Sequence, residues 1–363
     1  MITEDKYTKG LEFYMVGGAV RDKLLSIAAG DIDWVVVGSD SLEMQARGFK
    51  KVGKDFPVFL HPVSKEEFAL ARRERKIDVG HKGFECYSEK DVTLLEDLSR
   101  RDLTINAIAC SNDGKIIDPF NGLKDLKMGV LRHISDSFRE DPLRLIRLAR
   151  FSAKFSRFTI AKETFNICYA IAHTDELRHL SKERVWKEIS LGLMTNRPIN
   201  MFDFLEKTGA LSILMPELVL SDRVISFLTN LPNKFNLYVR YALLCIDTCS
   251  RDMLSVNLRV ESECRNYANL LSNIMDCISV NSLIDNYILL EKCDAFRRPK
   301  RFHDLLEAAN FLGVKNTNEI WLRLQNVLNI DMHKIIKSNK EIDDIKNLVR
   351  NTRLSVFVNK LNK

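Results

Sequence analysis

The chain has 363 residues, of which 45% are hydrophobic and 29% charged, and a net charge of +6; these are the proportions of a soluble globular protein of two or three domains with ample core. No apolar run approaches the ~20 residues that span a bilayer, and the opening stretch Met1–Gly10 carries acids and no apolar segment, so neither a membrane span nor a secretory leader is expected and the cytoplasm is the expected location. The eight cysteines are scattered without a C-x-x-C pair, which points to reduced core thiols and away from a zinc site, and the mild basic excess permits an anionic partner without demanding one.

Phe13 to Val16 reads as a short buried strand. Gly17-Gly18 breaks it and lets the backbone turn sharply and come close to a ligand. Ala19 to Ser26 reads as a helix whose first amides would face whatever lies over the glycines, a position that favours an anion. Arg21, in its first turn, adds a cation. Trp34 to Val37 is β-branched and aromatic, as in a central strand. Asp31 and Asp33 stand two apart, so on a strand both carboxylates face one side. Side by side they repel unless a cation lies between them. Mg²⁺ is the natural one, being hard, oxygen-ligated and commonly shared with substrate phosphates. Phosphate-holding glycines ahead of a strand-borne Asp-x-Asp make a nucleotidyl-transfer site, in which metal activates the attacking hydroxyl and clamps the triphosphate.

GG-x-VRD followed by D-x-DWVV resembles the bacterial class II tRNA nucleotidyltransferases, the CCA-adding enzymes, within the polymerase-β-like superfamily. The resemblance implies Mg²⁺ as cofactor and tRNA, CTP and ATP as partners, with Gly17, Gly18 and Arg21 on the triphosphate and Asp31 and Asp33 on the metal.

Asp40 to Arg47 then reads as a helix and Pro57 to Leu60 as a strand. Glu67 to Lys76 reads as one strand with a charged end, in which Glu74 is a candidate third carboxylate. Asp78 to Glu89 has two glycines and mixed polarity and reads as a mobile loop beside the site; in the resembled family a loop here is tied to the switch from adding C to adding A. Asp102 and Asn106 are four apart, on one face of an expected helix, and the preceding Arg100-Arg101 suits phosphate contact. RRD-x-T-x-NA is similar to a second family motif. By that resemblance Arg101 touches the nucleotide, while Asp102 and Asn106 lie near the ribose or hold the local structure. Asp118 to Gly122 is a turn, similar to the family's D-P-x-x-G element and read as mainly structural.

From Glu140 the text turns helical. Ser137 or Asp141 can cap the next helix, and Pro142 suits its first turn. Asp141, Arg144 and Arg147 follow at three-residue spacing, giving one charged face. Such a face suits base selection without a nucleic-acid template. C and A both present an exocyclic amine beside a ring-nitrogen acceptor; a carboxylate accepts from the amine and a guanidinium donates to the ring nitrogen. U and G show a carbonyl where the amine would be, and the unpaired partners make them costly to admit. Asp141 and Arg144 are the candidates, with Arg147 supporting them or contacting phosphate. E-D-x-x-R resembles the family's nucleotide-recognition motif.

Ser181 to Ile189 resembles the next family motif, with Arg184 and Glu188 read as an i, i+4 pair and Trp186 as core. After Val239 the long bacterial relatives carry a phosphohydrolase domain marked by a His-Asp pair. Here the pair is Ile246-Asp247, isoleucine binds no metal, and no phosphatase or phosphodiesterase activity is expected from this degenerate region. Arg297, Arg298, Lys300 and Arg301 cluster around a proline and two aromatics, a composition that could grip a tRNA backbone. Lys334, Lys337, Lys340, Lys346, Arg350, Arg353, Lys360 and Lys363 spread further charge over the tail.

The expected fold is α+β: a polymerase-β-like palm with a mixed sheet and helices over 1–138, then an all-helical neck over 139–225, body over 226–300 and tRNA-binding tail over 301–363. The expected activity is template-independent addition of CCA to tRNA from CTP and ATP, with release of pyrophosphate. A poly(A) polymerase or one half of a split CC-adding and A-adding pair uses the same palm; the 78–89 loop argues against a CC-only enzyme. An RNA-binding protein that has lost catalysis is the remote alternative, opposed by intact Asp31, Asp33, Asp141 and Arg144.

Overall fold

The strands of the first half are β1 (Glu12–Val16), β2 (Asp33–Val37), β3 (Lys50–Val52), β4 (Val58–Leu60), β5 (Glu67–Leu70), β6 (Arg73–Lys76), β7 (Phe84–Tyr87), β8 (Ala109–Ser111), β9 (Ile116–Ile117), β10 (Val130–Leu131) and β11 (Thr159–Ile160). They belong to a computed structural model that describes residues 4–28, 30–52, 58–76, 84–278, 282–331 and 345–359, with the backbone alone for 74–76 and 84–86. Seven strands pair in the order β3-β4-β5-β2-β1-β8-β9. β2 runs antiparallel to β1 and parallel to β5, so the sheet is mixed, as expected. The chain divides into two compact units, 1–216 and 217–363.

The alternation of a strand puts Trp34 and Val36 on one face of β2 and Val35 on the other. Trp34 and Val36 bury against Phe13, Met15, Phe59, Phe68 and Leu70, beneath Ala19 and Val20 of helix α1 (Gly18–Leu24) and Met44 of α2 (Ser41–Ala46). Phe13 meets the Trp34 ring edge-on at 5.3 Å between centroids, and Phe68 stacks on it at 5.7 Å. Val35 packs with Val16, Ala71, Val92, Ala107, Ala109 and Leu98 of α3 (Leu94–Ser99) on the opposite face. Two buried faces pin the register of β2, because a slip by one residue would exchange them. That register sets Asp33 opposite Val16 on one side and Glu67 on the other.

Two local expectations change. Glu67 to Lys76 is not one strand: the last bond to the large sheet is Ala71 N–H to the Val36 carbonyl at 2.8 Å. The next amide, of Arg72, donates instead to the buried carboxylate of Asp97 at 3.3 Å. The chain leaves the sheet there, and β6 pairs with β7 as a separate two-stranded ribbon. The expected loop over 78–89 therefore contains a strand at Phe84–Tyr87, while 78–83 lie outside the described residues. The second change is at Asp102 to Asn106, which form no α-helix. A 3₁₀ turn covers Thr104–Asn106, held by Thr104 N–H to the Arg132 carbonyl at 2.9 Å and Asn106 N–H to Leu103 at 2.9 Å.

Helix α4 (Gly122–Met128) braces that turn. Asp118 accepts from the amides of Gly122 (2.7 Å) and Leu123 (2.9 Å), and Thr104 Oγ1 donates to Asp125 at 2.8 Å. Gly122 is the point of closest approach, where a Cβ would overlap the Thr104 carbonyl oxygen and crowd Ile108. After a 3₁₀ turn at Asp136–Glu140 come α5 (Leu143–Lys154), α6 (Lys162–Ala172), α7 (Lys182–Leu193) and α8 (Ile199–Lys207). α5 buries Leu145, Ile146, Leu148, Ala149 and Ala153 and packs against α7 and α8. Trp186 is core, as expected.

The second unit is helical throughout its described residues, with Leu237–Leu244 packed on Ser262–Ile278 and further helices to Ile345–Val358. Arg323 donates to the carbonyls of Phe357 (2.7 Å) and Asn359 (2.8 Å) and closes the last of them. No described helix is long and apolar enough to cross a membrane.

Gly122→Ala should lower stability by about 2 kcal/mol, because the clash is with backbone and cannot relax through a side chain. A urea midpoint shifted down at unchanged slope would show it; an unmoved midpoint would mean that α4 does not brace the turn.

Candidate active site

Gly17 has a left-handed backbone (φ 67°), and a Cβ there would stand 2.8 Å from Arg101 Nη1. The conformation favours glycine, and any side chain there would also push the guanidinium aside. α1 begins at Gly18 with no side-chain cap. Over this turn lies a cavity of about 490 Å³. Its walls include ten of the residues expected from sequence: Gly17, Gly18, Arg21, Asp33, Arg101, Asp102, Asn106, Asp141, Arg144 and Arg147. Arg100, whose pairing with Arg101 suited phosphate contact, lines it too, and Arg72, Leu143, Arg150, Phe151, Lys154 and Arg184 complete the lining without having been singled out for the site. Arg150, Phe151 and Lys154 were within reach of sequence reasoning, since they continue the three- and four-residue spacing of Arg147 along α5.

A chain of charge-assisted hydrogen bonds connects these walls. Arg147 Nε and Nη2 both meet Asp102 Oδ2 at 2.8 Å. Asp102 Oδ1 accepts from Asn106 Nδ2 and from the Leu103 amide, each at 2.8 Å. Asn106 Oδ1 in turn accepts from Arg21 Nη1. Arg21 pairs with Asp22 at 2.7 Å, and Asp22 with Lys154 of α5 at 2.9 Å. Behind α5, Glu188 of α7 receives Arg150 and lies 3.7 Å from Arg147. Burial alone would push the Asp102 carboxyl up; Arg147 first, then Asn106 and the Leu103 amide, outweigh it and hold the group well below the usual carboxylate range. Asp102 in return keeps Arg147 charged. Asp102, Asn106 and Arg147 thus brace one another.

A second buried acid orients the arginine pair. Asp97, 0% exposed, binds Arg100 Nη2 at 2.6 Å and Arg101 Nη2 at 3.0 Å. Asp33 lies within the field of Arg101. Its carboxyl is nevertheless pushed up, by desolvation first, with the negative charges of Glu67 and Asp31 adding to it and Arg101 opposing. Glu67 is an acid that sequence reading missed: it comes beside Asp33 only through the β2–β5 register. Asp31 lies two residues ahead of β2 rather than on it. Glu74 is on β6, in the separate ribbon, opposite Cys86; its side chain is outside the described residues. Among the described residues no three His, Cys, Asp or Glu side chains form a ready-made metal cage.

At the other wall, Asp141 Oδ1 accepts from the Leu143 amide at 3.1 Å and Oδ2 from Arg184 at 2.9 Å. The buried Arg144 donates to the carbonyls of Ser137 (2.8 Å) and Arg100 (2.5 Å). Arg184 and Glu188 are therefore not an i, i+4 pair. Both point off α7 toward α5 and its entry, Arg184 to Asp141 and Glu188 to Arg150.

Away from the cavity, Arg301 donates inward to the Cys293 carbonyl at 2.9 Å and Arg298 pairs with Glu263 at 2.7 Å. Arg297 and Lys300 are exposed. Lys334, Lys337, Lys340, Lys360 and Lys363 lie outside the described residues. Ile246 is buried, and Asp247 is bound by Ser221 and Arg223.

Comparison with known proteins agrees with this layout. The poly A polymerase head domain family matches residues 13–132, and the family described as the probable RNA and SrmB-binding site of polymerase A matches 157–220. The CCA-adding enzyme of Bordetella pertussis is 46% identical over 92% of this chain and 93% of its own length. The multifunctional CCA protein of Pseudoalteromonas atlantica is 38% identical over 95% of this chain and 98% of its own. The Bacillus stearothermophilus CCA-adding enzyme in complex with CTP superposes with a TM-score of 0.70 at 21% identity, over 97% of this chain and 90% of that one.

Asp102→Asn should cost about 2 kcal/mol at neutral pH, less than a fully buried pair because the Arg147 side chain keeps 36% of its exposure. The folded-state pKa of Asp102 lies below its unfolded value. Its contribution is therefore complete above about pH 4, the unfolded range, and is lost as pH falls toward the folded value. Denaturant midpoints from pH 7 to 3 should fall less steeply in the variant than in the parent; parallel curves would show that the pair is not the acid-sensitive element.

Proposed function

The chain belongs to the class II CCA-adding tRNA nucleotidyltransferases of the polymerase-β-like superfamily, and from that premise we propose how its own residues carry the reaction. The observation that carries the proposal is the single cavity: the glycine turn, the Asp33 strand end and the Asp141–Arg144–Arg147 face all open on it. Its lining sets Arg21, Arg72, Arg100, Arg101, Arg144, Arg147, Arg150, Lys154 and Arg184 against Asp33, Asp102 and Asp141. This excess suits a triphosphate.

Gly17 and Gly18 let the triphosphate approach the backbone, and Arg101, aimed at Gly17 and fixed by Asp97, holds it with the charge of Arg21 behind. Asp31 and Asp33 would hold Mg²⁺, with Glu67 as the third carboxylate in place of Glu74. The fit rests on the donor set, which is all oxygen, and on the β2–β5 register, which sets Glu67 beside Asp33. No closed cage is needed, because Mg²⁺ keeps waters and shares phosphate oxygens with its substrate. When bound, the ion supplies Lewis-acid activation of the primer hydroxyl and of the triphosphate.

The 3′-oxygen of tRNA attacks the α-phosphorus of CTP or ATP, and the bond to pyrophosphate breaks. Asp141 accepts from the exocyclic amine of C or A. Arg144, with five N–H donors of which Ser137 and Arg100 take two, donates to the ring nitrogen. Asp102 and Arg147 keep that helix face in place. In the second unit, buried Ile246 and the engaged Asp247 support the absence of a hydrolase site there. Arg297 and Lys300 remain the surface candidates for tRNA phosphate. The reading places the enzyme with its substrate in the cytoplasm.

With Mg²⁺ and tRNA lacking CCA, ending in C or ending in CC, the protein should complete CCA and stop. Addition of C alone or A alone would indicate half of a split pair, and a long A tail a poly(A) polymerase. Asp33→Ala should abolish both incorporations. Glu67→Ala should lower kcat about 100-fold; wild-type kcat in that variant would return the third place to Glu74.

A further inference from the structure

Resting on the assignment of Asp141 as the base acceptor, we propose that Arg184 is a positioning residue for base selection, holding the Asp141 carboxylate in its reading orientation. Asp141 needs such a partner because its own backbone is extended (φ −115°, ψ 101°) and lies ahead of α5. No helical turn restricts its side chain. The Leu143 amide holds only Oδ1, at 3.1 Å. The second anchor is Arg184, forty-three residues later on another helix, at 2.9 Å from Oδ2. The other cations of this face have different duties: Arg147 is taken by Asp102 and Arg144 by two backbone carbonyls.

The pair is partly desolvated, at 26% and 20% side-chain exposure, and both residues line the cavity. It is thus stronger than an open surface pair. Each carboxylate oxygen has two lone-pair sites, so Oδ2 still has room for an exocyclic amine while bound to Arg184. The guanidinium fixes the plane in which the amine must arrive. A carboxylate turned aside no longer sets its oxygens against the carbonyl of U or G. α7 is a firm base for this, because Glu188, one turn along, is locked to α5 through Arg150.

The test is the kcat/KM of CTP, ATP, UTP and GTP on tRNA lacking CCA or ending in CC, with Mg²⁺, for the parent, Arg184→Ala, Arg184→Lys, Asp141→Ala and the Arg184→Ala, Asp141→Ala double variant. Arg184→Ala should lower the C-over-U and A-over-G preference about tenfold, through U and G gaining ground, with the KM for tRNA unchanged. Arg184→Lys keeps the charge without the planar fork and should fall between. In the double variant the preference should be no lower than in Asp141→Ala alone, since the two act as one unit. Parental preference in Arg184→Ala, whatever its rate, would overturn the proposal, and a change confined to the KM for tRNA would give Arg184 to the polymer instead. If Asp141→Ala itself retains the preference, the base-acceptor reading fails first; loss there with parental preference in both Arg184 variants sinks this inference alone.

Discussion

The buried bond between Asp102 and Arg147 is the constraint on which the site depends. It ties the turn that follows the arginine pair to α5, and it passes onward through Asn106 to Arg21 beside the glycine turn. A carboxylate this deeply buried is costly unless its lone pairs are met. Here a bidentate guanidinium, an amide side chain and a backbone N–H meet them. The gain is geometric more than energetic: three stretches far apart in sequence are held to one arrangement, and that arrangement is the cavity. Pre-organisation of this kind is what lets fixed charges act on a reacting phosphate without rearranging first.

The same device recurs around the cavity. Asp22, Asp97, Asp102 and Glu188 are all buried, and each binds the cation it orients, Asp102 from the cavity wall itself and the other three from outside the lining. The cavity stays rich in N–H donors. A triphosphate bound there as proposed would meet cations whose direction is already set. The overall charge of +6 says little of this, because the distribution matters more than the sum.

Local pattern carried much of the site into view from sequence. Gly17-Gly18, the apolar run of β2 and the spacing of Arg144 and Arg147 are short-range signals, and each lies where that signal puts it; Asp141, expected on the same helix face, stands on extended backbone just ahead of α5 and still reaches the cavity. What escaped depends on pairing between distant segments. Glu67 is an ordinary strand residue until parallel register sets it beside Asp33. Arg184 and Glu188 suit an i, i+4 pair on an isolated helix, but the packing of α7 brings Asp141, just ahead of α5, to Arg184 and Arg150 of α5 to Glu188. The single strand expected over 67–76 breaks because the Asp97 carboxylate takes the Arg72 amide. Asp102 to Asn106 do meet, yet through a 3₁₀ turn set by the Arg132 carbonyl and not by helical spacing.

Selection by one carboxylate and one guanidinium has a limit built into it. C and A offer the same amine and ring-nitrogen pattern, so in the proposed role Asp141 and Arg144 would exclude U and G but would not rank C against A. The order of addition must then come from something that changes as the primer grows. The bases differ in bulk, and each added nucleotide alters the room left in a cavity of about 490 Å³. Helix α5 cannot adapt freely to this, because the bonds of Arg147 to Asp102 and of Arg150 to Glu188 hold it on both sides. In this reading the tightly bonded walls decide which pair of bases is admissible, and the growing 3′ end, with whatever part of the chain moves to meet it, decides which of the two comes next.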